Sequence, residues 1–159
     1  MRAALDVEVT YAARRPWAPR RIQLEEWAAR ALSDAARRGA PAASRRSLLS
    51  VGVVGTARSR TLNARYRRKD RPTNVLSFAG SGTLPDGRHF LGELVICAPV
   101  VAHEARTQGK SVESHWAHMT VHGVLHLLGF DHERPAEARK MEAVEIQILD
   151  RLGFSNPYA

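Results

Sequence analysis

The segment HGVLHLLGFDH, residues 122–132, places three histidines in eleven positions. His122 and His126 stand four apart, so on a helix their imidazoles leave the same face one turn from each other. Gly129 follows, where a glycine lets the chain leave the helix through a left-handed turn, and His132 can then swing back toward the first two rings. Three imidazole nitrogens around one point with a fourth position open is the arrangement of a catalytic zinc site, whereas structural zinc is usually closed by four ligands rich in cysteine. Cys97 is the only cysteine, which excludes the closed type. Water in the open position would have its pKa lowered to about 7, giving a source of hydroxide near neutral pH.

His115 and His118 lie just before this segment, and His118, His122 and His126 form a competing stripe at intervals of four. Successive turns of a straight helix are about 5.4 Å apart, so three such side chains do not converge on one ion with bonds of about 2.0 to 2.1 Å. The expected ligands are therefore His122, His126 and His132, with one zinc per chain. His118 and Asp131 remain as residues that line the pocket or support the ligands. The spacing H-x-x-x-H-x-x-G-x-x-H resembles the metal frame of metzincin peptidases, which need Glu directly after the first His as general base. Here that residue is Gly123. A peptidase with its base deleted is a poor reading, and the frame is expected to serve another substrate.

The charge distribution points to what that substrate is. Residues 1–71 hold 17 Lys or Arg against 6 Asp or Glu, and residues 72–159 hold 7 against 10, within a total of +8. An Arg-rich genome explains Arg over Lys but not basic over acidic, so a polyanionic partner is expected. The cations are densest from Arg58 to Arg71: Arg58, Arg60, Arg65, Arg67, Arg68, Lys69 and Arg71 against the single acid Asp70.

A fold must bring the histidines and this basic stretch together. At 159 residues, 44% hydrophobic and 25% charged, the chain is expected to form one soluble domain over residues 1–159. Leu5, Val7, Val9 and Tyr11 alternate with polar residues as in a strand with one buried face. Leu24, Trp27, Ala28, Ala31, Leu32 and Ala35 recur at three and four, giving a helix that Gly39 can end. A loop from Gly39 to Ser47, marked by Pro41, leads to a buried strand over Leu48–Val54. Thr56 is expected to cap a short helix carrying Leu62 and Tyr66, and Arg67–Thr73 is a charged connection. Strands over Val75–Phe78 and Leu91–Cys97 flank a turn-rich loop from Gly80 to Gly87. Three helices follow: one from Pro99 to about Gln108, one capped by Ser111 and closed by Gly129, and one opened by Pro135 with Met141, Val144, Ile148 and Leu152 as its stripe. The order implies an α+β fold, a small mixed β-sheet packed against helices, with the metal site on a C-terminal helix and the turn after it. Trp17, Trp27 and Trp116 are expected to pack the core rather than stack bases. The longest apolar run, Leu94–Ala102, is interrupted by Pro99 and falls short of the roughly 20 residues of a membrane span. Asp6 and Glu8 sit where a secretory leader needs apolar residues, so a cytoplasmic location is expected.

The stretches LNARYRRKDRPTNVLSF, LGELVI, HWAHMTVHGVLHLLGFDH and MEAVEIQILDRLGF, from about Leu62 to Gly153, together resemble the YbeY family of bacterial endoribonucleases and ribosomal RNA maturation factors. The first sixty residues match only in pattern. The resemblance implies an α+β fold with a mixed sheet, His122, His126 and His132 as zinc ligands, and Arg67 as the catalytically important arginine. A guanidinium offers a planar, bidentate fork to phosphate oxygens, which fits that role. Arg65, Arg68, Lys69 and Arg71 are then candidates for RNA binding. Two positions depart from the family: Glu93 stands where many members have Asp, and Arg68 where many have Gly. Both read as surface-compatible changes of modest weight. The implied function is a zinc-dependent, single-strand-preferring endoribonuclease in ribosomal RNA maturation, at the 3′ end of the small-subunit RNA, and in ribosome quality control. Its partners would be RNA, above all ribosomal RNA, and the ribosome or its assembly proteins. The general base is unassigned, with metal-bound hydroxide ahead of Asp131 and Glu133. The alternatives are a non-catalytic RNA-binding assembly factor with a structural metal, and the metzincin-like peptidase.

Overall fold

The computed structural model describes residues 4–40 and 46–159. Strand β1 (Leu5–Tyr11), helix α1 (Arg21–Arg37), β2 (Ser47–Val54), α2 (Thr56–Arg67), β3 (Val75–Ala79), β4 (His89–Cys97), α3 (Ala98–Thr107), α4 (Val112–Leu127) and α5 (Pro135–Arg151) follow in the expected order. Pro41 and most of its loop lie outside the described residues. The sheet runs β1-β2-β4-β3. β1, β2 and β4 are parallel, and β3 is antiparallel to β4 at one edge, so the α+β class with a small mixed sheet holds.

The two faces of the sheet are covered differently. On one, Leu49, Val51, Val53, Leu94 and Ile96 meet α1, α4 and α5 in the main core. On the other, Val54, Leu76, Val95 and Cys97 form a smaller cluster with Leu62, Phe78 and Val100 packed against it. α4 is buried nearly all round: Trp116, Ala117, Val121, Val124 and Leu125 are inaccessible, as is Thr120, whose hydroxyl donates to the Trp116 carbonyl at 2.8 Å. A helix enclosed by a sheet and several helices has no need of a single apolar stripe. Trp27 and Trp116 are buried and Trp17 packs against the core, as expected.

Four helices end in the same way. After α4, the Gly129 N–H bonds the His126 carbonyl at 3.1 Å and the Phe130 N–H bonds the Leu125 carbonyl at 3.0 Å, with Gly129 at φ 97°. This is the paired 5→2 and 6→1 bonding that a left-handed glycine permits. Gly39, Gly109 and Gly153 do the same after α1, α3 and α5. α2 is the exception, and its start also differs from the expected cap. Its N-cap is Gly55, not Thr56, which is already the first helical residue. Its left-handed terminal residue is Arg68, at φ 58° and ψ 33°, the only non-glycine with positive φ among the described residues.

A glycine at this position would therefore have a backbone reason, and Arg68 is not merely a surface-compatible residue. A side chain in the left-handed region costs roughly 1 to 2 kcal/mol, part of which glycine's greater freedom in the unfolded chain offsets. Arg68→Gly is expected to raise stability by up to about 1 kcal/mol, or about 2 to 4 °C in Tm for a chain of this size. Thermal unfolding followed by circular dichroism measures it. A lowered Tm would mean that contacts of the Arg68 side chain outweigh its backbone strain.

The chain after α2 is held by polar groups. The Ser59 hydroxyl donates to the Thr73 carbonyl at 3.0 Å and accepts from the Thr73 N–H at 2.9 Å, and the Asn63 amide donates to the Arg71 carbonyl at 2.8 Å. Both side chains are buried, so the basic turn from Arg68 to Arg71 is fixed from beneath while its cations face outward.

Candidate metal centre

α4 carries His122 and His126 on one face, and the Gly129 turn returns the chain so that His132 meets them. The three ligand nitrogens lie within 4.8 Å of one another. The Nε2 atoms of His122 and His126 are 3.1 Å apart. In a tetrahedral zinc site with bonds of about 2.0 to 2.1 Å, ligand nitrogens stand about 3.3 Å apart, so the set fits a small divalent ion. Asp131 accepts a bond from the His132 N–H at 2.7 Å and so shapes the turn that presents this ring. Burial, followed by the neighbouring His122 and His132, lowers the pKa of His126 to about 4. The ring is therefore neutral at physiological pH, as a ligand must be.

Behind the trio stands a residue that the sequence reading missed. Glu145 of α5 is 1% exposed, and its Oε2 accepts from His122 Nδ1 at 2.8 Å. A carboxylate can only accept, so this bond places the proton on Nδ1 and leaves the Nε2 lone pair free toward the other two histidines. Glu145 Oε1 accepts from the Tyr158 hydroxyl at 2.5 Å, and His118 Nε2 lies 3.3 Å from the carboxylate and 3.2 Å from the Tyr158 oxygen. Burial alone would raise the pKa of Glu145, but the bonds from His118 and His122 outweigh it and hold it at about 2. Burial and the adjoining Glu145 carboxylate push the Tyr158 phenol upward, which keeps it a donor. The signal for Glu145 was present in the sequence: it follows Val144 and stands four after Met141, a charge on the flank of an apolar helix stripe.

The competing stripe of His118, His122 and His126 does not converge, as expected. His118 instead belongs with His122 and Glu145, whose ligand atoms also lie within 4.8 Å of one another. Gly123 has a packing role. A Cβ there would come within 2.7 Å of a Leu94 methyl and 3.3 Å of the Ser77 hydroxyl, so this side of α4 faces the sheet. A glutamate at this position would be driven into the core and away from the three histidines, which removes the geometric basis of a metzincin-like base.

Arg67 lies exposed at the end of α2. Its charge is among those that lower His126, so it lies within Coulombic reach of that ring. Arg65 lies over the Tyr66 ring, 5.4 Å from its centre. Arg60 forms a bidentate pair with Asp70 at 2.8 and 3.0 Å, so the only acid of the segment is engaged away from Arg65, Arg67, Arg68, Lys69 and Arg71. Glu93 is partly buried on the α2 side of the sheet, opposite Phe78, and the Ser50 hydroxyl donates to it at 3.4 Å. No helix among the described residues is long and apolar enough to cross a membrane.

A family model described as Endoribonuclease YbeY matches residues 16–153, well beyond the Leu62–Gly153 stretch that carried the resemblance. Two relatives named Endoribonuclease YbeY, from Stenotrophomonas maltophilia strains R551-3 and K279a, are each 47% identical over 159 residues, covering 98% of this chain and 94% of theirs. The solution structure of TM1509 from Thermotoga maritima shares the fold at a TM-score of 0.55 and 22% identity, covering 93% of this chain and 92% of that one. With the family model over most of its length and relatives at this identity, the chain belongs to the Endoribonuclease YbeY family.

Proposed function

We propose that the chain works as one domain and is a metal-dependent endoribonuclease that prefers single-stranded RNA. It would act in the cytoplasm on ribosomal RNA, in 3′-end maturation of the small-subunit RNA and in ribosome quality control, with the ribosome or its assembly proteins as further partners. The ion is zinc, one per chain, on His122, His126 and His132. The observation that carries this reading is the pairing of a three-histidine set, oriented by the Glu145 carboxylate, with Arg67 in Coulombic reach of His126.

When bound, a divalent ion at such a site supplies Lewis acidity to a water or a phosphoryl oxygen. Arg67 donates to the phosphate and meets the charge that grows on it during reaction. Arg65, Arg68, Lys69 and Arg71 hold the neighbouring backbone, and Glu145 keeps the His122 ring in one tautomer and one orientation.

Cleavage of a single-stranded RNA should be lost on chelation and restored by zinc. Binding should weaken steeply with salt, since neutralising phosphates releases condensed counterions: with four phosphate contacts on a single strand, the slope of log K against log salt is about −3. Salt-indifferent binding would overturn backbone recognition. Binding that persists in zinc-loaded protein that never cleaves would favour the non-catalytic assembly factor.

A further inference from the structure

The basic end of α2 carries an exposed aromatic ring that the metal centre does not use. Tyr66 is 55% exposed, the highest value among the large apolar side chains described. The ring is nevertheless held: Phe78 of β3 meets it edge to face, with centroids 5.1 Å apart and planes at 72°. Phe78 is itself anchored in the small cluster of Val54, Leu76 and Val95. Edge-to-face support fixes the plane of the tyrosine.

The location of the ring relates it to the histidines. Arg67, whose charge reaches His126, is the next residue in the chain. On β3, Phe78 faces Tyr66, while its neighbour Ser77 faces the other side and donates to the carbonyl of Gly123, directly after His122, at 3.3 Å. β3 is the edge strand of the sheet. β3 thus ties the strand that buttresses Tyr66 to the helix that carries His122 and His126. Glu93, cross-strand from Phe78, disfavours a phosphate on this face, while the Arg65 guanidinium, 5.4 Å over one face of the Tyr66 ring, and Arg67 give the phosphates a path along the rim of the ring.

We propose that Tyr66, buttressed by Phe78, is a stacking platform for one unpaired base next to the phosphate held at the metal centre. Rejection of duplex RNA then comes from this surface, because a paired base is already covered on both faces and cannot reach the ring. The proposal rests on the reading of the chain as an RNA-cleaving enzyme.

The test is single-turnover cleavage by the zinc-loaded protein over a range of enzyme concentrations. The substrates are a single-stranded RNA, its duplex, and a series with one abasic nucleotide at each position. Tyr66→Leu should raise the half-saturating concentration for the single strand about 5- to 150-fold, the range of one base–aromatic stack, with the loss falling there rather than on the maximal rate. Tyr66→Phe should recover the affinity, since the ring and not the hydroxyl is used. In the wild type, one abasic position near the cleaved bond should produce a similar loss, and in Tyr66→Leu that position should cost nothing further. Unchanged half-saturation in Tyr66→Leu would overturn the platform, as would equal losses for duplex and single strand, or abasic costs that add to the mutation. Absence of cleavage by the wild type would instead overturn the parent reading, and that is seen before any variant is made.

Discussion

Arg67→Ala is expected to lower the maximal single-turnover rate on single-stranded RNA about a hundredfold to a thousandfold, the range found when one preorganised donor to a developing oxyanion is removed. Zinc content and thermal stability should not change, because Arg67 is exposed and its side chain supports nothing in the fold. Binding should fall only modestly, since Arg65, Arg68, Lys69 and Arg71 remain on a turn fixed by Ser59 and Asn63. Arg67→Lys should recover part of the rate: a point charge restores the Coulombic component but not the bidentate fork. The measurement is cleavage at saturating enzyme, with zinc and binding determined on the same samples. Near wild-type turnover in Arg67→Ala would remove this arginine from the chemistry and leave it as one more cation of a solvated face.

The order and type of every described element were legible because the signals were local. Alternation marked β1, a stripe at three and four marked α1, and Gly39 and Gly129 closed α1 and α4 where their left-handed turns are found. The histidine geometry was legible for the same reason, since i,i+4 spacing and a glycine turn are properties of a short segment. What sequence could not supply were relations between segments. Glu145 is 13 residues beyond His132, and only the packing of α5 on α4 brings its carboxylate to His122. Gly123 was read by what it lacks, a catalytic carboxylate, when its cause is the closeness of Leu94 and Ser77. Tyr66 was assigned to the apolar side of a short helix, but that helix packs through Leu62 and buries Ser59 and Asn63, leaving the ring outside. Arg68 was judged mild because backbone conformation is invisible in a residue name.

The metal itself should be most sensitive to His126→Ala, which is expected to release it, whereas His118→Ala is expected to keep it. His126 belongs only to the set with His132, and His118 only to the set with Glu145, while His122 belongs to both. The two variants therefore decide which set holds the ion. Loss in His118→Ala with retention in His126→Ala would move the site to the buried side of His122. Glu145→Gln is the finer probe. The amide keeps the shape and can still accept from His122 Nδ1 and present its NH2 to Tyr158, so the fold should survive; what is lost is the negative charge that makes His122 a stronger ligand. Zinc affinity should fall about 10- to 100-fold, the usual cost of losing such an outer partner. Glu145→Ala is a poorer test, since it leaves a cavity and strips a buried network of its acceptor, which destabilises the protein independently of the metal. Competition with a chromophoric chelator gives the zinc affinity without reference to RNA. Undiminished affinity in Glu145→Gln would mean that the 2.8 Å bond fixes the ring orientation alone, which an amide oxygen does as well as a carboxylate.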